Sequence, residues 1–212
     1  GVQSIALGSN PESLDDLEVN FVKLNKQTYR QFNGDTTWNG SHYAYKYEEE
    51  GYGNLTHSLV SIWDSQASGW RGVRLSVSSY EANVANGKYL VGLPHLQQVY
   101  RCGASYLNDQ CLNQPLSNSL LAAETKYLYD SPYNTIPQTG LVTARRTLLY
   151  FNNPNTYSDP SYADETLNYD GWGNLLSSAS YSEEGNSTTL ATSEARSTSF
   201  QYDTIYYTYV LA

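Results

Sequence analysis

One short pattern, met twice in full and twice in part, constrains this chain more than any other feature. Leu167-Asn168-Tyr169-Asp170-Gly171-Trp172-Gly173-Asn174-Leu175 runs from a tyrosine and an acid to an aromatic, then Gly-Asn-Leu. Tyr45-Lys46-Tyr47-Glu48 leads into Tyr52-Gly53-Asn54-Leu55, the same order with two extra residues before the aromatic. Tyr127-Leu128-Tyr129-Asp130 and Phe200-Gln201-Tyr202-Asp203 keep the strand and its acid without the Gly-Asn-Leu. In a strand, a residue and the one two before it share a face and can stack on neighbouring strands. The acid can take backbone amides of the turn that follows. Gly173 and Asn174 suit positive φ, so the chain reverses and Leu175 begins the return strand. Each unit is a hairpin that cannot bury its own face, and stacking hairpins makes a sheet.

The rest of the chain agrees. His42–Glu48, Val73–Ser78, Thr125–Tyr129 and Leu141–Phe151 alternate as strands do, and Phe200–Tyr202 and Tyr207–Val210 close the chain in the same manner. Turn formers lie between them: Asn33-Gly34-Asp35, Asn86-Gly87, Pro132, Asn152-Asn153-Pro154-Asn155 and Glu184-Gly185-Asn186. The expected fold is all-β, a meander of antiparallel hairpins forming a spiralling sheet. Pro11–Glu18, with Ser9 or Asn10 as cap, predicts a short N-terminal helix or turn leading into a strand over Val19–Leu24. The chain is accordingly divided at residue 40: 1–40 as the leading segment, 41–212 as one repeat region.

The repeated unit resembles the YD repeats, also called RHS repeats, of bacterial RHS proteins, Tc-toxin shell components and teneurins. Tyr89-Leu90-Val91-Gly92-Leu93-Pro94, Lys126–Asp130, Thr139–Thr143 and Tyr169–Leu175 come in an order similar to long bacterial RHS-type surface proteins, over roughly residues 41–207. The resemblance implies a wall rather than an active site: a β-sheet that in relatives encloses a toxin or forms a surface barrel. Glu48 stands where the family has Asp. Asp159-Pro160 is followed by Ser161-Tyr162, so the family's self-cleaving aspartyl element is not carried over.

Charge narrows the partners. Twelve basic against 21 acidic residues give a net charge of -9, which repels a phosphate backbone, and Arg71/Arg74 and Arg145/Arg146 make no basic stripe. Nucleic acid is not an expected partner. No apolar run approaches the ~20 residues of a membrane span. The absence of an initiator Met suggests a removed leader or a piece of something longer. Cys102 and Cys111, nine positions apart without further Cys or His ligands nearby, read as a short-loop disulfide, with two buried thiols as the alternative.

No catalytic constellation emerges. His42, His57 and His95 lack metal-site spacing, no nucleophile elbow is present, and Glu48-Glu49-Glu50 and Glu183-Glu184 adjoin turns where charge is solvated. No metal or other cofactor is implied. With 21 Tyr against 4 Phe and no Met, tyrosines must serve as core and inter-strand ladder. The alternative use of the aromatics is sugar stacking, for which Trp38, Trp63, Trp70 and Trp172 are the candidates. The sequence therefore points to a non-enzymatic, secreted or surface-exposed segment of a larger shell, fibre or adhesive wall, partnered by copies of itself or by flanking repeats. An autonomous carbohydrate-binding module facing cell-surface glycans is the second reading. A hydrolase using an acid pair is a remote third.

Overall fold

The structure is a computed structural model that describes residues 23–32, 38–48, 51–130 and 136–203. Its strands are β1 (Lys26–Phe32), β2 (Trp38–Tyr47), β3 (Leu55–Asp64), β4 (Gly69–Tyr80), β5 (Pro94–Arg101), β6 (Leu121–Tyr129), β7 (Val142–Asn153), β8 (Ser158–Tyr169), β9 (Leu175–Tyr181) and β10 (Ala195–Ser199). They form one antiparallel sheet in which spatial order equals sequence order, from β1 to β10. The expected all-β meander is what the chain adopts. β2 spans residue 40, so the sheet runs unbroken across the expected boundary between leading segment and repeats. The expected N-terminal helix and the strand over Tyr207–Val210 lie outside the described residues.

Two strand expectations are corrected. Lys23 and Leu24 precede β1 and are not extended into it. The last described strand is Ala195–Ser199 rather than Phe200–Tyr202, although the pairing continues past it: the Phe200 amide donates to the Leu176 carbonyl at 2.8 Å and Tyr202 forms a β-bridge. β10 is exposed along its whole length. A strand with neither face buried needs no apolar alternation, so its Ala-Arg-Ser-Thr-Ser carries no period to read.

One face of the sheet is covered and the other is open. The cross-strand row Ala44–Leu59–Leu75–Tyr100–Leu121 lies on the covered face. It packs beneath the long β5–β6 connection, whose 3₁₀ turn Asn108–Asn113 contributes Cys111 and Leu112 to the same cluster. Cys102 and Cys111 form the disulfide, with Cα atoms 5.7 Å apart. The staple sits directly on β4: a Cβ added to Gly72 would lie 2.8 Å from the Cys102 sulfur. Only a glycine lets the sheet and the staple approach this closely.

Toward β8 the same face turns polar. Lys126, Arg146 and Asp164 are register neighbours, and Arg146 Nε donates to Asp164 Oδ1 at 2.8 Å with both side chains buried. The β9–β10 connection folds over them. Asp164 Oδ2 accepts the Ala191 amide at 2.8 Å, and Arg146 Nη2 donates to the carbonyls of Asn186 and Thr189, each at 2.7 Å. Beside this pair, the Tyr162 hydroxyl donates to Glu124 Oε1 at 2.7 Å, and the Arg146 guanidinium lies 4.7 Å from the Tyr162 ring centre.

Candidate functional site

Every even-numbered strand ends in the same way. Tyr47, Tyr80, Tyr129 and Tyr169 are the last residues of β2, β4, β6 and β8, and Tyr202 follows β10. Each is followed by an acid: Glu48, Glu81, Asp130, Asp170 and Asp203. A register shift precedes each of the first four, between Lys46 and Tyr47, Ser79 and Tyr80, Leu128 and Tyr129, and Asn168 and Tyr169. One extra residue on the returning strand, a β-bulge, shifts the register just before each of these tyrosines.

The tyrosine hydroxyls latch one unit to the one before. Tyr47 donates to the Leu24 carbonyl at 3.1 Å, Tyr80 to Leu55 at 3.0 Å, Tyr129 to Pro94 at 2.7 Å, Tyr169 to Val142 at 2.9 Å and Tyr202 to Leu175 at 3.1 Å. Leu55, Pro94, Val142 and Leu175 are in turn the register partners of Tyr47, Tyr80, Tyr129 and Tyr169. Each tyrosine thus pairs with a residue whose carbonyl receives the next tyrosine. Burial pushes the Tyr129 phenol up to about 12, and it also raises Tyr80 and Tyr169, so these hydroxyls stay protonated and remain donors. Tyr80-Glu81 is the unit that the motif reading misses: like the partial copies it lacks the Gly-Asn-Leu, but it also has Ser78 where they have Tyr127 and Phe200, and Glu in place of Asp. The Leu93-Pro94 pair that starts the return strand was the available signal.

The acids organise the turns. Glu48 Oε2 accepts the amides of Tyr52 at 3.0 Å and Asn54 at 3.2 Å. Asp170 does the same for Trp172 at 2.8 Å and Asn174 at 2.9 Å, and takes the Asn174 side-chain amide at 2.9 Å. Gly53 and Gly173 adopt φ of +75° and +87°, so the motif glycine plays the same part in both full copies. Asp130 accepts the Thr139 amide at 3.1 Å, and also bonds the Gln138 amide and the Thr139 hydroxyl.

These turns share one edge of the sheet and touch in sequence. Asn54 Nδ2 donates to the Val91 carbonyl at 2.5 Å, Asn83 Nδ2 to Pro137 at 2.7 Å, and Lys88 Nζ to Gln138 Oε1 at 2.8 Å. A Cβ on Gly173 would sit 3.7 Å from Leu141. The result is a continuous rim bearing exposed Tyr52, Tyr89, Ile136 and Trp172, with Tyr89 73 % and Trp172 76 % exposed. Tyr52 and Tyr89 meet edge to face, ring centres 5.8 Å apart. Between the third and fourth turns lies a groove of about 430 Å³, lined by Leu141 and Leu167 and by polar groups of Gln138, Thr139, Thr143 and Asn168.

Of the four candidate stacking tryptophans, only Trp172 belongs to this rim. Trp63 and Trp70 meet edge to face near the opposite edge, ring centres 5.5 Å apart and both half-buried, and Trp70 stacks on His42 at 5.3 Å. Trp38 begins β2 at that same opposite edge, and its side chain lies outside the described ones. Tyr45 and Tyr127 sit two residues before their latch tyrosines, and the Tyr127 hydroxyl donates to Gln97 Oε1 at 2.9 Å.

A second polar chain was not legible in sequence. His42 bonds Thr28 Oγ1 at 2.8 Å through Nδ1 and Asp109 Oδ1 at 2.9 Å through Nε2. Hydroxyl, imidazole and carboxylate stand in the order of a nucleophile-activating relay. Lys26 pairs with the same carboxylate, and although burial would raise the Asp109 carboxyl, its bonds to Lys26 and His42 hold it below the usual range. The chain ties β1 and β2 to the disulfide-bearing connection. Among the described residues no group of three or more His, Cys, Asp or Glu is placed to hold a metal ion.

Acid should loosen the turns. Burial by itself would raise Asp130, but the Thr139 hydroxyl and the Gln138 and Thr139 amides outweigh it and hold the carboxyl below its usual range. The Asn174 side chain, followed by the turn amides, holds Asp170 low as well. Since the folded pKa values lie below the unfolded ones, stability from these groups is complete above about pH 5 and drains as pH falls through about 4. Urea midpoints measured from pH 6 to pH 3 should therefore drop, and Asp130→Asn should flatten part of that slope. A midpoint indifferent to pH over that span would show that the carboxylates do not hold the turns.

Fold and rim together define an open antiparallel β-meander of tyrosine-latched hairpin pairs with a knit turn edge. Compared with known proteins, the chain matches no family model, no curated protein and no solved structure. The likeness to YD repeats rests on the residues quoted above.

Proposed function

We propose that the chain is a non-enzymatic extracellular structural protein, a length of YD/RHS-type β-repeat wall within a larger shell, fibre or cell-surface adhesive assembly. The observation that carries this is the fivefold tyrosine latch, in which each unit supplies the carbonyl that receives the next unit's hydroxyl. A device repeated at every unit boundary serves stacking, whereas a catalytic device is needed at one place only. The disulfide supports an oxidising compartment, and no helix among the described residues is long and apolar enough to cross a membrane. Exposed β10 offers a template for further copies of the chain or for flanking repeats.

Light scattering on the eluting protein over a hundredfold concentration range tests this reading. Self-association that grows with concentration is expected of a wall segment with open edges. A monomer of constant mass at every concentration overturns it. A second reading, a carbohydrate-binding module, draws on the exposed aromatics of the turn rim.

A further inference from the structure

Arg71, Arg145 and Arg146 are each answered by an acid. Arg145 and Glu165 are register partners that meet at 2.8 Å, as are Arg146 and Asp164, also at 2.8 Å. Arg71 Nε donates to Asp64 at 2.6 Å. Arg74 departs from this pattern, because its register partner on β5 is Arg101. Arg74 precedes Leu75 and Arg101 follows Tyr100, two members of the covered row, so alternation sends both guanidiniums to the open face. Directly opposed side chains start about 5 Å apart at Cβ, and like charges so placed repel. Both residues are exposed, and neither makes an ion pair or side-chain hydrogen bond among the described residues.

We propose that Arg74 and Arg101 together bind a doubly charged tetrahedral oxoanion of the phosphate type, free or as an ester group on a larger partner. The site is independent of both readings above.

The charge selects the ligand. Two guanidiniums carry two positive charges, and a dianion neutralises both where a carboxylate neutralises one. Each guanidinium is a planar fork of donors, and two forks facing each other across a ladder can hold a tetrahedral group from two sides. The surroundings select against a long polyanion. Val60 and Tyr43, which continue the same cross-strand row, are neutral, as are Ser76 and Val99 beside the two arginines. In a chain with a net charge of -9, one phosphate fits where a run of phosphates would meet a repulsive field.

The backbone beneath the pair is fixed. Leu75 and Tyr100 are buried in the core cluster on the opposite face. The Arg101 amide donates to the Leu120 carbonyl at 2.9 Å, and its carbonyl accepts Gln114 Nε2 at 3.1 Å. Val73 is the extra residue at the register shift between Val60 and Ser61, and such a bulge re-aims the side chains around it. A ligand arriving here has only two side chains to order.

The test titrates the full chain with inorganic phosphate, phenyl phosphate or acetate, at about pH 8 where a phosphate ester is a dianion, with sodium chloride holding the ionic strength constant. The NMR signals of the two arginine Cζ atoms, assigned by substitution, report binding. Saturable shifts are expected with a phosphate and not with acetate. Arg74→Gln or Arg101→Gln should weaken binding by about tenfold, the loss of one charge-assisted contact. Arg196→Gln, exposed on β10, should leave it unchanged. Without ligand and at low salt, Arg74→Gln should raise the urea midpoint by ending the repulsion, and phosphate should then stabilise the parent more than the variant. Tighter binding of phenyl phosphate assigns the site to an ester group on a partner, and binding of inorganic phosphate at least as tight assigns it to the free ion. Signals that move with neither phosphate overturn the proposal, as do acetate shifts equal to those of phosphate. An Arg74→Gln chain that binds phosphate like the parent, or that has the lower midpoint at low salt, overturns it as well.

Discussion

Replacing Asp164 by alanine should destabilise the chain by about 3–5 kcal/mol, the cost of stranding a buried charge without its partner. Arg146 and Asp164 are both almost fully buried, and the carboxylate bonds Arg146 at 2.8 Å and the Ala191 amide at 2.8 Å. Losing the carboxylate leaves a guanidinium that cannot reach water and a backbone amide without an acceptor. The β9–β10 connection is held over β7 and β8 through this pair, so its amides should exchange faster in the mutant. Gly185→Ala tests the same place from the opposite side, since its Cβ would fall 1.9 Å from Asp164 Oδ2 and 2.5 Å from Arg146 Nη2. Side chains fixed by this many bonds cannot step aside, and a loss of similar size is expected. An apolar pair, Arg146→Met with Asp164→Leu, should recover only part of the stability: it removes the desolvation cost of the charges but leaves the Ala191 amide and the Asn186 and Thr189 carbonyls without these partners. Urea denaturation measures all of this. A midpoint for Asp164→Ala within 1 kcal/mol of the parent would mean that the connection relaxes and admits water.

Tyr129→Ala should cost about 3–5 kcal/mol, on the scale of deleting a buried aromatic ring. Tyr129 is 1 % exposed, and its hydroxyl reaches the Pro94 carbonyl at 2.7 Å. Tyr129→Phe separates ring from latch: it keeps the packing and loses one hydrogen bond, an expected cost of about 1–2 kcal/mol. Tyr127→Phe makes the contrast. That residue lies two positions earlier on the same strand and bonds only the Gln97 side chain, so the change should stay within about 0.5 kcal/mol. If Tyr129→Phe and Tyr127→Phe proved equally mild, the latch would be a geometric regularity without energetic weight.

The units were only partly visible in sequence, for a physical reason. The Tyr-acid step is local chemistry: a strand end, a bulge and a carboxylate over turn amides all lie within a few residues of each other. Tyr169-Asp170 with Gly173-Asn174 declares itself for that reason. Tyr80-Glu81 does not, because Ser78 replaces the aromatic two positions before the tyrosine and its turn is shaped by Asn83, whose side chain takes the Ala85 amide and reaches the Pro137 carbonyl. Sugar-stacking candidates chosen as tryptophans were scattered by the fold: Trp63 and Trp70 pack against each other near one edge while Trp172 stands on the other. Exposed Tyr89 was indistinguishable from the ladder tyrosines without the tertiary structure.

By itself the sequence determined that the chain is an antiparallel meander and where its full hairpin motifs reverse. Those properties follow from a period of two and the φ preferences of Gly and Asn, whereas the pairing of Cys102 with Cys111, expected with two buried thiols as the alternative, is settled by the 5.7 Å between their Cα atoms. Only the tertiary structure decided which carbonyl each tyrosine reaches, that one face is covered by the β5–β6 and β9–β10 connections, and that Arg146 and Asp164 meet beneath the second of them. Those contacts join residues 18 to 43 positions apart, where pairing is set by the register of whole strands and by what folds back over them. No local pattern carries that information, because the same alternating strand serves equally well under a cover, beside a groove or open to water.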